Sequence, residues 1–135
     1  MGVDAPSLEG FLFPETYRLY WGINERKVIS IMVRQFFNVV NGSLKRQMLA
    51  SGMTLNDMVA LASIIESEAQ KDEERPIISQ VYHRRLKLGM SLDADPTIQY
   101  ALGERRKLLN VDKKIDSPYN TYTHRGLPPG SICNP

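Results

Sequence analysis

The sequence predicts a mostly helical α+β domain, with a helical core and a long C-terminal segment of loop and short strand. Three observations lead there. Apolar residues recur at helical spacing through the middle of the chain. Those stretches are bracketed by cap and stop residues. The last third concentrates Pro118, Gly126, Pro128, Pro129, Gly130 and Pro135, which break helices. The chain has 135 residues, 42% hydrophobic and 24% charged, the balance of one globular domain over 1–135. A domain of this size buries about two thirds of its unfolded surface and can hold itself together without staples. The single cysteine, Cys133, excludes a disulfide framework and a Cys-rich zinc module. With 17 basic and 15 acidic residues, the net charge of +2 offers no concentrated basic face for nucleic acid. No run of about 18 apolar residues is present, and the N-terminus lacks the basic and apolar regions of a signal peptide.

Residues 3–22 mix aromatics with Pro6, Gly10, Pro14 and Gly22, which predicts an extended, turn-rich segment packed on a core. From Asn24 a helix follows, with Val28, Ile31, Met32, Gln35, Phe36 and Val39 as its apolar stripe and Asn41-Gly42 as its stop. Asn41-Gly42-Ser43 also matches a glycosylation sequon, but a turn between helices explains it. Residues 44–51 form a short helix ending near Gly52. Thr54 caps the next helix, with Asp57 three residues on in the manner of a capping box, and apolar residues run on to Glu66. A further helix starts at Asp72, with acids early, basic residues late and Gly89 as its stop. Asp95-Pro96 reads as an N-cap followed by proline, opening a short helix that ends at Gly103.

The candidate chemistry centres on Glu66 and Glu68, which end an otherwise apolar helix. A carboxyl desolvated by Leu61, Ile64 and Ile65 has its neutral form favoured, the state a general acid needs. At about 100° per residue the two glutamates lie roughly 200° apart, so they form no carboxylate dyad. Wheel geometry puts Glu66 in the middle of the apolar arc and Glu68 at its margin, so burial alone favours Glu66 as the perturbed group. A structural ion pair from Glu66 to Arg84 or Arg85 fits equally well. His83 and His124 stand apart without partners at ligand spacing, which argues against metal. Ser63 is on no nucleophile elbow and suits a backward bond to a helix carbonyl. Phosphate-cradling glycine motifs are absent from the sequence. Asp93 and Asp95 have too few further oxygens for calcium, and capping accounts for Asp95. Tyr119-Asn120-Thr121-Tyr122 offers aromatic faces, an amide and a hydroxyl, equally suited to binding a sugar or to anchoring a loop.

Four motifs occur in order: Glu9-Gly10-Phe11-Leu12-Phe13-Pro14-Glu15-Thr16-Tyr17, Ala62-Ser63-Ile64-Ile65-Glu66-Ser67-Glu68, Asp95-Pro96-Thr97 and Ser117-Pro118-Tyr119-Asn120-Thr121-Tyr122. With Gly126-Leu127-Pro128-Pro129-Gly130 and Asn134-Pro135, the chain from about residue 8 onward resembles the YceG-like family, the endolytic murein transglycosylases of the MltG type. The resemblance implies a lyase that cuts the β-1,4 bond between N-acetylmuramic acid and N-acetylglucosamine within peptidoglycan strands, leaving 1,6-anhydro-muramyl ends. It implies Glu68 as the catalytic acid/base, Glu66, Asp95 and Thr97 in support, and Tyr119, Asn120, Thr121, Tyr122 and Arg85 as glycan-binding residues. No cofactor and no metal are implied. The tail would fold across the helix ending at Glu68 to form a glycan groove. Where the family usually shows Asn-Arg-Leu the chain has Arg84-Arg85-Leu86, and where it shows Gln the chain has Asp93, so both departures introduce charge. The family's membrane helix, LysM-like module and C-terminal end are missing from this sequence, whose ends read as those of an excised piece. The implied setting is the extracytoplasmic face of a bacterial cell membrane, reached through the missing segment, with peptidoglycan as substrate and cell-wall synthases as partners of the whole protein. Two other readings compete. A non-catalytic peptidoglycan-binding or scaffold domain would bind glycan without cutting it. The aminodeoxychorismate lyase label attached to such proteins would need a pyridoxal phosphate lysine and a phosphate loop.

Overall fold

The computed structural model describes residues 3–135. Five α-helices follow one another: α1 (Glu25–Val39), α2 (Gly42–Ser51), α3 (Leu55–Glu68), α4 (Arg75–Lys87) and α5 (Asp95–Leu102), with single 3-10 turns at Asp72–Glu74 and Asp112–Lys114. The described residues contain no strand, so the expected strand component of an α+β fold is replaced by irregular loop. The prolines of the tail explain this. They lack N–H donors and fix φ, which disfavours a ladder, and the segment satisfies its polar groups through local turn bonds, such as His124 N–H to Asn120 O at 3.0 Å, and through side chains.

Helix α3 is the centre of the molecule and packs against both α4 and α5. Its start is the capping box read from the sequence. Thr54 Oγ1 accepts the Asp57 N–H at 3.1 Å, and Asp57 Oδ2 accepts the Thr54 N–H at 3.1 Å. Beyond it the helix feeds two apolar clusters. Leu61 and Ile64 join Tyr82, Leu92, Ala94 and Ile132. Val59 joins Phe11 and Phe36, whose rings meet edge-on at 5.1 Å. Fully buried Ala60 and Ser63 form a narrow seam on α3 that the tail crosses. Ser63 Oγ donates to Ala60 O at 2.7 Å, the expected backward bond, and accepts the Ile132 N–H at 3.0 Å. One residue further along the tail, the Cys133 thiol, whose ionisation burial pushes upward, meets Ser63 O at 3.4 Å. Asn134 Oδ1 then accepts the N–H groups of Gly10 at 2.8 Å and Leu12 at 3.1 Å. The N-terminal segment is thereby fixed to the tail.

The other elements depart from expectation in detail. In α1, Asn24 caps the helix as its Oδ1 accepts the Lys27 N–H, but only Val33 and Phe36 are buried. Val28, Ile31 and Met32 are half-covered and Val39 is exposed, because α1 turns only the Val33 and Phe36 side of the helix to the core. Helix α2 begins at Gly42, two residues earlier than expected, and ends before Gly52. The helix expected from Asp72 is divided into a 3-10 turn and α4, which ends before Gly89. Asp95 is not a cap: α5 begins with Asp95 itself, and the Ala94 N–H is taken by Thr121 Oγ1 at 3.0 Å.

Candidate active site

Residues 66, 67 and 68 occupy the last turn of α3, and at about 100° per residue each faces a different part of the surface. Glu66 lines one cleft with Arg75, Ser67 a second with Tyr100 and Arg105, and Glu68 a third. Glu66 is exposed rather than buried, which reverses the ranking from the helical wheel. Its partner is Arg75, not Arg84 or Arg85, with Nε and Nη2 at 2.9 and 2.8 Å from Glu66 Oε2. The wheel counts only neighbours on α3, whereas Glu66 opens on a cleft bordered by Arg75, Pro76, Ser79 and Pro135 and pairs there with the Arg75 guanidinium.

Glu68 is half-buried in a cleft of about 240 Å³ lined by Ile77, Ile78, Val81, Tyr82, Arg85, Leu92 and Asp93. The phenol of Tyr82, buried in α4, donates to Glu68 Oε1 at 3.1 Å. Glu68 Oε2 takes no hydrogen bond from any described residue. Burial, and then the adjoining Glu68 carboxylate, raise the Tyr82 phenol above its ordinary ionisation range, so it remains a neutral donor. Sequence reading missed Tyr82. The available signal was its position in the Ile78, Tyr82, Arg85 row of α4, where a polar-tipped aromatic faces inward.

Arg85 borders the same cleft, and its Nη1 is fixed by Ser91 O at 3.0 Å, Leu92 O at 3.3 Å and Asp93 Oδ2 at 3.1 Å. Asp93, one of the two charged departures, thus orients Arg85, and among the described residues it is the only non-glycine at positive φ, 52°. Asp95 accepts the Tyr122 hydroxyl at 2.5 Å, and the Tyr122 phenol is raised by burial and then by that bond. Lys113 Nζ sits 4.8 Å from the centre of the Tyr122 ring.

The remaining tail residues point inward. Asn120 is fully buried, its amide donating to Lys113 O and Ile115 O at 3.1 and 2.8 Å while its Oδ1 accepts the Tyr122 N–H at 2.9 Å. Thr121 and Thr97 are buried against each other with hydroxyls 2.9 Å apart. Tyr119 packs on Tyr100 at 4.7 Å, and Tyr100 donates to Glu9 at 2.6 Å. The tetrapeptide is therefore mainly a brace, and Tyr122 is its member beside the Glu68 cleft. His83 lines a separate cleft with Asp57 and Lys87, and His124 Nδ1 lies 3.3 Å from Asn120 O. Among the described residues no group of three His, Cys, Asp or Glu converges as metal ligands do.

A carboxyl anchored through one oxygen, with the other open to a cleft, can give and take one proton. The YceG-like family model matches residues 3–135, and the chain belongs to that family. It is 39% identical over 129 residues to an endolytic murein transglycosylase of Bacillus subtilis, covering 94% of this chain and 36% of that protein. It is 32% identical over 137 residues to one of Streptococcus pneumoniae strain D39, covering 95% of this chain and 24% of that protein. The crystal structure of a YceG-like protein from Listeria monocytogenes superposes with a TM-score of 0.88 at 37% identity, covering 94% of this chain and 42% of that one. The chain spans about a third or less of the length of these curated relatives.

Proposed function

We propose that residues 1–135 are the catalytic domain of a lytic transglycosylase that cuts the MurNAc-β-1,4-GlcNAc bond within peptidoglycan strands. Glu68 is the acid and the base. Its Oε2 proton passes to the glycosidic oxygen as the bond from C1 breaks. The resulting carboxylate takes the proton of the muramic C6 hydroxyl as O6 bonds to C1, leaving a 1,6-anhydro-muramyl end. The nucleophile belongs to the substrate, so a second catalytic carboxylate of the hydrolytic kind is not needed, nor is a cofactor. Arg85 and Tyr122 border the sugar path. Asp95 fixes Tyr122, and Thr97, Asn120, Thr121 and Tyr119 brace the wall behind them. Glu66 supports the end of α3 through Arg75. On this reading the protein acts at the extracytoplasmic face of the cell membrane, where strands and the synthases that extend them meet.

The observation that carries the reading is the contrast between the two glutamates. Glu66 is occupied by a guanidinium, whereas Glu68 is anchored by Oε1 and free at Oε2. The test is digestion of purified peptidoglycan by wild type, Glu68→Gln and Glu66→Gln, with mass spectrometry of the products. Anhydro-muramyl ends from wild type and Glu66→Gln but not from Glu68→Gln are expected. Products from Glu68→Gln would remove Glu68 from its role, and glycan binding without products from any of the three would make the chain a binding domain.

A further inference from the structure

The geometry points to Tyr82 as the positioning residue of this site, its phenol holding Glu68 Oε1 so that the proton exchanged with substrate resides on Oε2. The inference rests on the transglycosylase reading above. Tyr82 sits at the contact of α3 and α4 and is 7% exposed, so its ring is locked by packing against the Leu61 and Ile64 cluster. Its hydroxyl is the one described donor to Glu68, at 3.1 Å. A donor held in this way fixes the carboxyl plane before substrate arrives, which is what a general acid on the last turn of a helix needs and cannot supply itself.

The bond also strengthens during the reaction. A phenol donates more strongly to a carboxylate than to a carboxylic acid, and Glu68 becomes a carboxylate as its proton leaves for the glycosidic oxygen. Tyr82 thus acts on charge that develops in the transition state, without touching the sugar. The other charged or titratable groups facing this carboxyl are Arg85 from α4, Asp93 from the loop before α5, and Tyr122 from the tail, with Asp95 of α5 behind it. None of them donates to Glu68.

Tyr82→Phe removes the hydroxyl and keeps the ring. The expected result is a kcat lowered about ten- to a hundredfold, the range for losing a hydrogen bond to a charged group, with KM within about twofold of wild type. Removing a donor to the carboxylate favours the protonated, acid-active form, so the alkaline limb of the pH–activity profile moves to higher pH while the plateau falls. A merely structural role would lower activity without moving that limb. A second readout needs no turnover. The protein has six tyrosines, and in protein labelled with carbon-13 at tyrosine Cζ the resonance lost in Tyr82→Phe is that of Tyr82. That resonance is expected at the same position in wild type and Glu66→Gln, and displaced in Glu68→Gln, which removes the charged acceptor of the Tyr82 hydroxyl. Wild-type kcat and pH profile in Tyr82→Phe overturn the inference, as does a Tyr82 resonance indifferent to Glu68→Gln. Failure of the underlying reading looks different: wild type yields no anhydro ends while the Cζ response is intact, which removes the reaction and the catalytic purpose of the pair together.

Discussion

Gly10 is the position where this fold has least room, and Gly10→Ala measures it. The residue lies under the tail with φ at +90°, and an added Cβ would fall 2.2 Å from Ser131 Oγ, 2.6 Å from Ser131 Cβ and 2.7 Å from Val59 Cγ1. Ser131 Cβ is fixed to its backbone and cannot swing aside, and the Ser131 and Val59 side chains have little room to turn. Ser131 is 3% exposed and Val59 5% exposed, each walled in by the core. Two costs add. A left-handed backbone with a side chain costs about 1–2 kcal/mol, and forcing a methyl into a filled interior costs about 1–3 kcal/mol more, so the expected loss is about 2–5 kcal/mol. Gly22→Ala separates the two, because Gly22 has a similar φ of +81° with nothing within 4 Å of the added carbon. It should lose only the backbone share, about 1–2 kcal/mol. Urea titration followed by far-ultraviolet circular dichroism is the suitable assay. The single tryptophan, Trp21, is 102% exposed and would report water before and after unfolding. If Gly10→Ala lies within about half a kcal/mol of Gly22→Ala, the tail is not packed on Gly10 as described and the reasoning fails.

Two more outcomes follow from the polar interior. Thr121→Val leaves the Ala94 N–H facing the core without its acceptor, which should destabilise the fold by about 1–3 kcal/mol in the same titration, whereas Thr121→Ser keeps the oxygen and should lose less. Asp112 is held at about 2, below its free value of 3.8, chiefly by two bonds from Arg106 and then by the Leu109 N–H. A carboxyl depressed on folding stabilises fully above its free value and loses that contribution as pH falls through the folded one. The stability gap between wild type and Asp112→Asn should therefore be constant above about pH 4 and close towards pH 2, as read from denaturation midpoints across that range.

Helix starts and stops were legible because they are written in adjacent residues. Thr54 with Asp57 and Asn24 with Lys27 need only their own turn of chain, and the structure has both. Burial was less legible. The wheel ranks residues by their own helix, but coverage depends on what arrives from elsewhere, so it misplaced Glu66 and overestimated the stripe of α1. Asp95 looked like a cap by spacing, yet Ala94 holds the N-cap position and the Asp95 carboxylate is taken by Tyr122, distant in sequence. The amide of Asn120 and the hydroxyl of Thr121 make their hydrogen bonds within the protein itself. A usable signal went unread in α3. Ala60, Ser63 and Ser67 are small residues at helical spacing, and they mark where another backbone comes close. The family motifs give the site residues their expectation, and the geometry separates those facing a cleft from those bracing it.

The bond from Asn134 to Gly10 spans 124 positions of sequence. During synthesis the first motif must therefore wait until Asn134 has left the ribosome before its amides find their acceptor. Short-range helices form early and closure of so long a loop comes late, in the company of the other distant bonds, from Tyr100 to Glu9 and from Ile132 to Ser63. Until it closes, the Phe11 ring and the Ala60–Ser63 seam remain open to solvent, and that nascent state is the one a chaperone or a protease would meet.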